Sequence, residues 1–320
     1  MNTRSAKPDM EGRVCLITGG NSGLGREAAL ALGRMGATIV LAVRNRKRGE
    51  ATVAEVKDRC GCEDVSLLVA DLSRLDDVRR LAKEFKDRHD RLHVLVNNAG
   101  VWLSNRQVSA DGHEMHLAVD YLAPFLLTDR LLDVLKASKP SRIVNVASMF
   151  HRYGKLNLDD IDLEKARFSW GTGYGQAKLA MVLWTYELAR RLEGTGVTAN
   201  AMCPGATATG LWGDNKKGMG RFIDWFANHA FKGPERGAEL MVYLASSSDV
   251  EGVSGRYFKE PAHLPWSYKF RKGTSRFSEP VRSSKASYDE EVQRRLWKRS
   301  EELTVPRPPP PPSSRSSSHS

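Results

Sequence analysis

The chain has 320 residues, 41% hydrophobic and 27% charged, which is enough to bury a large core as one big α/β domain or two smaller ones. Lys and Arg outnumber Asp and Glu by 49 to 38, and the net charge of +11 admits nucleic acid, an anionic membrane surface or a phosphorylated ligand as partner. The basic residues lie in separate clusters, "RNRKR" (44–48), "KFRK" (269–272) and "RRLWKR" (294–299), with no nucleic-acid-binding motif beside them, so specific nucleic acid is the weaker reading.

The first residues, "MNTRSAKPDMEGR" (1–13), contain no apolar run, so 1–11 reads as an N-terminal extension with neither signal nor anchor. Apolar runs such as "YLAPFLL" (121–127) fall short of the roughly 18–20 residues a membrane span needs. Cys15, Cys60, Cys62 and Cys203 are too few in so long a chain for a disulfide framework, which points to a reducing, cytoplasmic setting. Cys60-Gly61-Cys62 is at most half a metal site, with no second Cys/His pair at suitable spacing, so no metal is expected.

From residue 12 to about 304, β-branched apolar runs alternate with segments whose apolar residues recur every three or four positions. "VCLIT" (14–18) reads as a first buried strand, and "LGREAALALGRMG" (24–36) as the helix after it. The turn between them, "TGGNSGLG" (18–25), is glycine-rich. Its glycines allow a tight turn and close approach to a pyrophosphate, which the first N–H groups of the helix then bind. Gly19, Ser22, Gly23, Leu24 and Gly25 are therefore the expected phosphate-binding residues.

The second strand, "TIVLAV" (38–43), ends on Arg44 where an NAD-dependent protein usually places a carboxylate for the ribose 2′-hydroxyl. A guanidinium can pair with a 2′-phosphate, so NADP(H) is the expected cofactor and Arg44 its main contact. The alternative is a solvated basic loop. Beyond it come helix "RGEATVAEVKDRC" (48–60), strand "VSLLVA" (65–70), helix "LDDVRRLAKEFKDR" (75–88) and strand "LHVLV" (92–96). A long helix, 113–136, carries Asp120 and is expected to kink at Pro124. Strand "RIVNV" (142–146), helix "YGQAKLAMVLWTYELARRL" (174–192) and strand "VTANAM" (197–202) complete the alternation. Repeated strand–helix–strand units predict a single doubly wound Rossmann domain, a parallel sheet with helices on both faces.

Residues 204–233 break the pattern and are rich in glycine and aromatics, as an active-site lid often is. Trp212, Phe222, Trp225 and Phe226 lie there and suit a bulky apolar substrate; core packing, a homo-oligomer face or peripheral membrane contact would use them equally well. A final amphipathic helix is expected over 285–303. The tail from 305, with Pro308 to Pro312 followed by serines, reads as disordered and suits an SH3- or WW-type groove.

Tyr174 and Lys178 stand four positions apart, hence on one face of their helix. "TGGNSGLG", Asp71-Leu72, "NNAG" (97–100), "NVASMFH" (145–151), "YGQAK" (174–178) and Pro204-Gly205 together resemble the short-chain dehydrogenase/reductase family. "RNRKRGE", "VEGVSGRYF" (250–258) and "YDEEVQRRLW" are most similar to its retinol-dehydrogenase branch. The resemblance implies that Asp71 and Leu72 flank the adenine. It also implies that Asn98, Ala99 and Gly100 support the fourth strand beside the cofactor, and that Pro204, Gly205 and Thr207 lie against the nicotinamide carboxamide. Tyr174 would be the acid/base, with its phenol made easier to ionise by Lys178, and Ser148 would hydrogen-bond the substrate oxygen. Lys178 would also hold the ribose hydroxyls. His151 is read as structural.

Asp120 departs from the family pattern, which has asparagine there to help hold a water that links the lysine to solvent. An ionised carboxylate would partly neutralise Lys178, raise the Tyr174 pKa and displace oxidation toward alkaline pH. The expected activity is interconversion of an alcohol with a ketone or aldehyde on a retinoid, steroid, lipid aldehyde or aromatic ketone. Asp120 and the proline-rich tail leave open an inactive NADP(H)-binding sensor or scaffold, and the charge leaves open a salt-sensitive nucleic-acid or membrane binder.

Overall fold

A computed structural model describes residues 9–205, 233–259 and 279–306. Its strands are Val14–Thr18 (β1), Thr38–Val43 (β2), Val65–Val69 (β3), Val94–Asn97 (β4), Ser141–Val146 (β5), Val197–Cys203 (β6) and Tyr257–Lys259 (β7). They form one parallel sheet in the order β3-β2-β1-β4-β5-β6-β7. The helices are Gly23–Gly33 (α1), Arg46–Cys60 (α2), Leu75–Arg88 (α3), Met115–Leu117 (α4, a single turn), Ala123–Ala137 (α5), Trp170–Arg191 (α6), Pro234–Ser246 (α7) and Glu290–Leu303 (α8).

Both faces of the sheet are covered, which explains why the strands are apolar throughout rather than alternating. One core layer gathers Val78, Leu81 and Phe85 of α3, Leu126 and Leu131 of α5, and Leu183 and Trp184 of α6. The opposite layer gathers Leu30 and Leu32 of α1, Val56 of α2, and Leu240 and Met241 of α7. The chain winds outward in one direction through β1, β2 and β3, then returns to start the other half at β4. In such sheets the crevice for a ligand opens past the strand carboxyl ends, where the order reverses. Here that is the gap between β1 and β4.

Most elements fall where the periodicity places them, and the differences have local causes. The expected helix 113–136 is interrupted by a π-helical turn, Ala118–Leu122, centred on Asp120. Pro124, where a kink is expected, follows directly on this π-turn at the second position of α5. Helix α6 starts four residues before Tyr174, because Ser169 caps it in a reciprocal pair with Thr172. Neither α7 nor the short edge strand β7 stands out as a periodic run. The cysteine count points away from disulfides, yet Cys60 and Cys62 are bonded to each other, while Cys15 and Cys203 are free and buried. No helix among the described residues is long and apolar enough to cross a membrane. Thr207, Trp212, Phe222, Trp225, Phe226 and the proline-rich tail lie outside the described residues.

Candidate active site

The expected site residues come to one edge of the sheet because each follows the carboxyl end of a strand. Gly19 follows β1, Arg44 follows β2, Asp71 lies just past β3, Asn98 follows β4, Ser148 lies just past β5, and Pro204 follows β6. Gly19 has φ +67°, and a Cβ there would stand 2.9 Å from the Ala99 Cα. A Cβ on Gly25 would meet Asn98 Nδ2 and the Gly19 carbonyl oxygen, each at 2.7 Å. Backbone from β1 and β4 thus closes on itself where only hydrogen fits. Ser22, at the N-cap of α1, makes no side-chain capping bond, and no acidic residue occupies the first turn. The N–H groups of that turn have no side-chain cap, and the positive helix end suits an anion such as a pyrophosphate.

Asn98 acts here through the scaffold: its Nδ2 donates to the Thr18 carbonyl at 2.8 Å, and its N–H to Thr18 Oγ1 at 2.9 Å. Behind it, Asn97 Nδ2 donates to Asn145 Oδ1 at 2.8 Å, and Asn145 Nδ2 to Thr185 Oγ1 at 2.9 Å, pinning β4, β5 and α6 together. Asp71 turns its carboxylate onto its own loop, accepting from Ser73 N–H at 3.0 Å and Ser73 Oγ at 2.8 Å. Arg44 is exposed at the sheet crest beside the start of α2.

Tyr174 and Lys178 do share one face of α6. The Lys178 ammonium lies 5.4 Å from the Tyr174 ring centroid. Ser148 ends the β5 crossing; its Oγ accepts from Phe150 N–H at 3.3 Å, and its hydroxyl is close enough to the Tyr174 phenol to affect its ionisation. Lys178 Nζ donates to the Val146 carbonyl at 3.1 Å and forms an ion pair with Asp120 Oδ2 at 3.2 Å. Asp120 is wholly buried and Lys178 only 4% exposed, so water screens this pair little. Asp120 Oδ1 accepts from Val101 N–H at 2.8 Å, which ties the π-turn to the loop after β4.

The electrostatic outcome follows the direction expected for Asp120, with burial as its largest cause. Burial pushes the Tyr174 phenol above its ordinary range; the Lys178 charge and the Ser148 hydroxyl oppose this, but Asp120 reinforces it, and the upward direction prevails. Burial disfavours the Lys178 ammonium, yet Asp120 and Tyr174 together hold it above the usual lysine range. Lys178 therefore acts on the phenol in the expected sense, while the protein around the pair cancels its effect.

Several residues beside Tyr174 lie outside the sequence expectation. Trp102 packs on it with ring centroids 4.7 Å apart, and Phe150 meets it edge-on at 5.9 Å. His116 approaches at 5.9 Å from a fully buried pair with Glu114. Its Nε2 accepts from Leu103 N–H at 3.1 Å, so Nδ1 carries the hydrogen that reaches Glu114 Oε1 at 2.8 Å. His151 is also fully buried. Its Nδ1 donates to the Ser148 carbonyl at 2.6 Å and its Nε2 accepts from Ser284 N–H at 3.0 Å. The available signal was positional: Trp102 and Phe150 follow strand ends, as the expected residues do.

The short chain dehydrogenase family model matches residues 13–220, a span that runs from β1 past β6. The chain belongs to the short-chain dehydrogenase family. Within it, the chain falls in the retinol-dehydrogenase-like branch. Human retinol dehydrogenase 14 is 39% identical over 313 residues, covering 91% of this chain and 86% of its own length. Polyprenol dehydrogenase of Mus musculus is 37% identical over 306 residues, covering 93% and 85%. Among solved structures, the Pseudomonas aeruginosa RhlG/NADP active-site complex superposes with a TM-score of 0.63 at 25% identity, over 78% of this chain and 95% of that one. The protein is therefore an alcohol/carbonyl oxidoreductase by family, with a nicotinamide cofactor.

Proposed function

We propose that the protein interconverts an alcohol with a ketone or aldehyde on a bulky apolar substrate, using NADP(H) and Tyr174 as the proton-exchanging group. The observation that carries this reading is the gathering of Ser148, Tyr174 and Lys178 at the sheet crest, beside the glycine turn of β1. The dinucleotide, when bound, supplies or accepts the hydride. Everything else falls to the chain. Ser148 orients the substrate oxygen, Tyr174 gives it a proton on reduction or takes one on oxidation, and Lys178 holds the ribose and stabilises phenolate. Gly19, Ser22, Gly23, Leu24 and Gly25 cradle the pyrophosphate. Asp71 and Leu72 border the adenine, and Asn98, Ala99, Gly100, Pro204, Gly205 and Thr207 border the nicotinamide side.

For the 2′-phosphate, Arg44 offers an exposed guanidinium at the end of β2, with no carboxylate at Val43 or Asn45. Exchanging Arg44→Asp should reverse the preference toward NADH in a side-by-side kcat/KM comparison; an unchanged NADPH/NADH ratio would remove Arg44 from the site. For the substrate, retinol and polyprenol are both apolar isoprenoid alcohols, and the aromatic faces of Trp102 and Phe150 beside Tyr174 match that chemistry. The raised phenol pKa favours reduction near neutrality, since a donor must start protonated and a base must not.

A panel of isoprenoid, steroid and aromatic carbonyls and alcohols, assayed with both nicotinamide cofactors, tests the reading directly. Turnover confined to small polar substrates, or equal with either cofactor, would contradict it. The buried Asp120–Lys178 pair supports one second reading, a dinucleotide-binding scaffold with little turnover. Cofactor binding without activity on any member of the panel would favour it.

A further inference from the structure

Cys60 closes α2, Gly61 follows as a left-handed cap (φ 67°) with its N–H on the Lys57 carbonyl at 2.9 Å, and Cys62 leads toward β3. The two sulfurs are joined across this single intervening residue, with Cα atoms 5.3 Å apart. A disulfide earns stabilisation mainly by shortening the loops open to the unfolded chain, and a loop this small offers almost nothing to shorten. Nor does this bond tie separate elements together. Its presence therefore calls for a chemical rather than a structural reason.

The surroundings accommodate that chemistry. The sulfurs rest against the end of α1, where a Cβ on Gly33 would stand 3.1 Å from Cys62 Sγ and 3.2 Å from Cys60 Sγ. Gly33 does not have the positive φ that would demand glycine, so space for the sulfurs is what the position supplies. Both cysteines are half-buried at the rim of the second core layer, whereas Cys15 is 0% and Cys203 1% exposed. The basic residues next to the pair are themselves engaged: Arg34 Nε and Nη2 both donate to the Arg59 carbonyl at 3.4 Å, and Lys57 pairs with Glu63 at 3.2 Å.

We propose that Cys60 and Cys62 form a reversible thiol–disulfide exchange site, separate from the dinucleotide chemistry, whose partner is a pair of thiols, two glutathione molecules or one protein dithiol. On reduction, a thiolate of the partner attacks one sulfur, the Cys60–Cys62 bond breaks, and a mixed disulfide forms. A second thiolate of the partner then resolves it. The partner leaves oxidised, and Cys60 and Cys62 each gain a proton as free thiols. Oxidation runs the same steps backward with a partner disulfide as the two-electron acceptor.

The test uses the whole folded protein, equilibrated over a series of reduced-to-oxidised glutathione ratios. It is then acid-quenched and alkylated, and the peptide spanning 60–62 is weighed. Interconversion between no label and two labels through one reversible transition is expected. A Cys62→Ser chain should replace that transition with a glutathione adduct on Cys60 alone. Two labels at every ratio, no label under full reduction of the folded protein, or a glutathione adduct instead of the internal bond in the unaltered chain would each overturn the proposal.

Discussion

Asp120 is where a single residue changes the charge that the Tyr174 phenol faces. A carboxylate and an ammonium 3.2 Å apart, both out of water, interact far more strongly than an exposed pair, and the charge that would help ionise Tyr174 is spent on Asp120. Replacing Asp120→Asn keeps a similar shape and removes the opposing charge. The Tyr174 phenol should then ionise at lower pH, moving the pH profile of alcohol oxidation toward acid; a profile that stays in place would show that Asp120 does not govern the phenol. The identity of this position was legible from sequence, and so was the sign of its effect. The weight of burial was not. Spacing alone puts Tyr174 and Lys178 on one helix face, and only the packing of Trp102, Phe150 and His116 around the ring reveals how much solvent the phenol loses.

At the scale of elements, the segment 148–152 is held from behind. His151 spans from the Ser148 carbonyl to Ser284 N–H, linking the loop that carries Ser148 to the stretch preceding α8. Burial lowers its pKa first, and Arg152 and Lys259 add to this; the Tyr257 ring packs against it at 4.8 Å. A group whose folded pKa is depressed contributes stability that is fully present above the ordinary imidazole value of about 6.5 and is lost as pH falls through the folded value. His151→Leu leaves a buried carbonyl and a buried N–H without partners, which should cost about 1–3 kcal/mol in denaturant unfolding and flatten the acid side of the stability profile. Unfolding indistinguishable from the parent at both pH 5 and pH 8 would contradict that role. The sequence marks His151 only as structural. Its two backbone partners are three and 133 positions away, and the second pairing belongs to tertiary structure alone. Strands, by contrast, were nearly fully legible, because a sheet covered on both faces writes itself as unbroken apolar runs. The π-turn around Asp120 was not, since one extra residue in a helical turn leaves the apolar spacing almost unchanged.

For the whole molecule, the two core layers and the C-terminal helix make one body around the crest. α8 is amphipathic in sequence and packs on α6 and α5. Trp297 meets Phe125 edge-on at 5.2 Å, the Arg191 guanidinium lies 4.1 Å over its ring, and Ser300 Oγ pairs with the Tyr121 hydroxyl at 2.6 Å. Trp297→Ala should destabilise the fold by roughly 3–5 kcal/mol in equilibrium unfolding, mostly through the cavity it leaves; a loss below about 1 kcal/mol would mean α8 is peripheral to the core. Exposed pairs such as Arg46–Glu50 and Lys83–Asp87 contribute little each. The proposed function rests instead on the few groups that the sheet crest takes out of water. The most direct measurement is turnover of an apolar carbonyl by Tyr174→Phe, beside a fluorescence titration of NADPH binding. The account predicts activity lowered by about 10²–10⁴-fold with cofactor affinity within a few-fold of the parent, and near-parental turnover in that variant would contradict it.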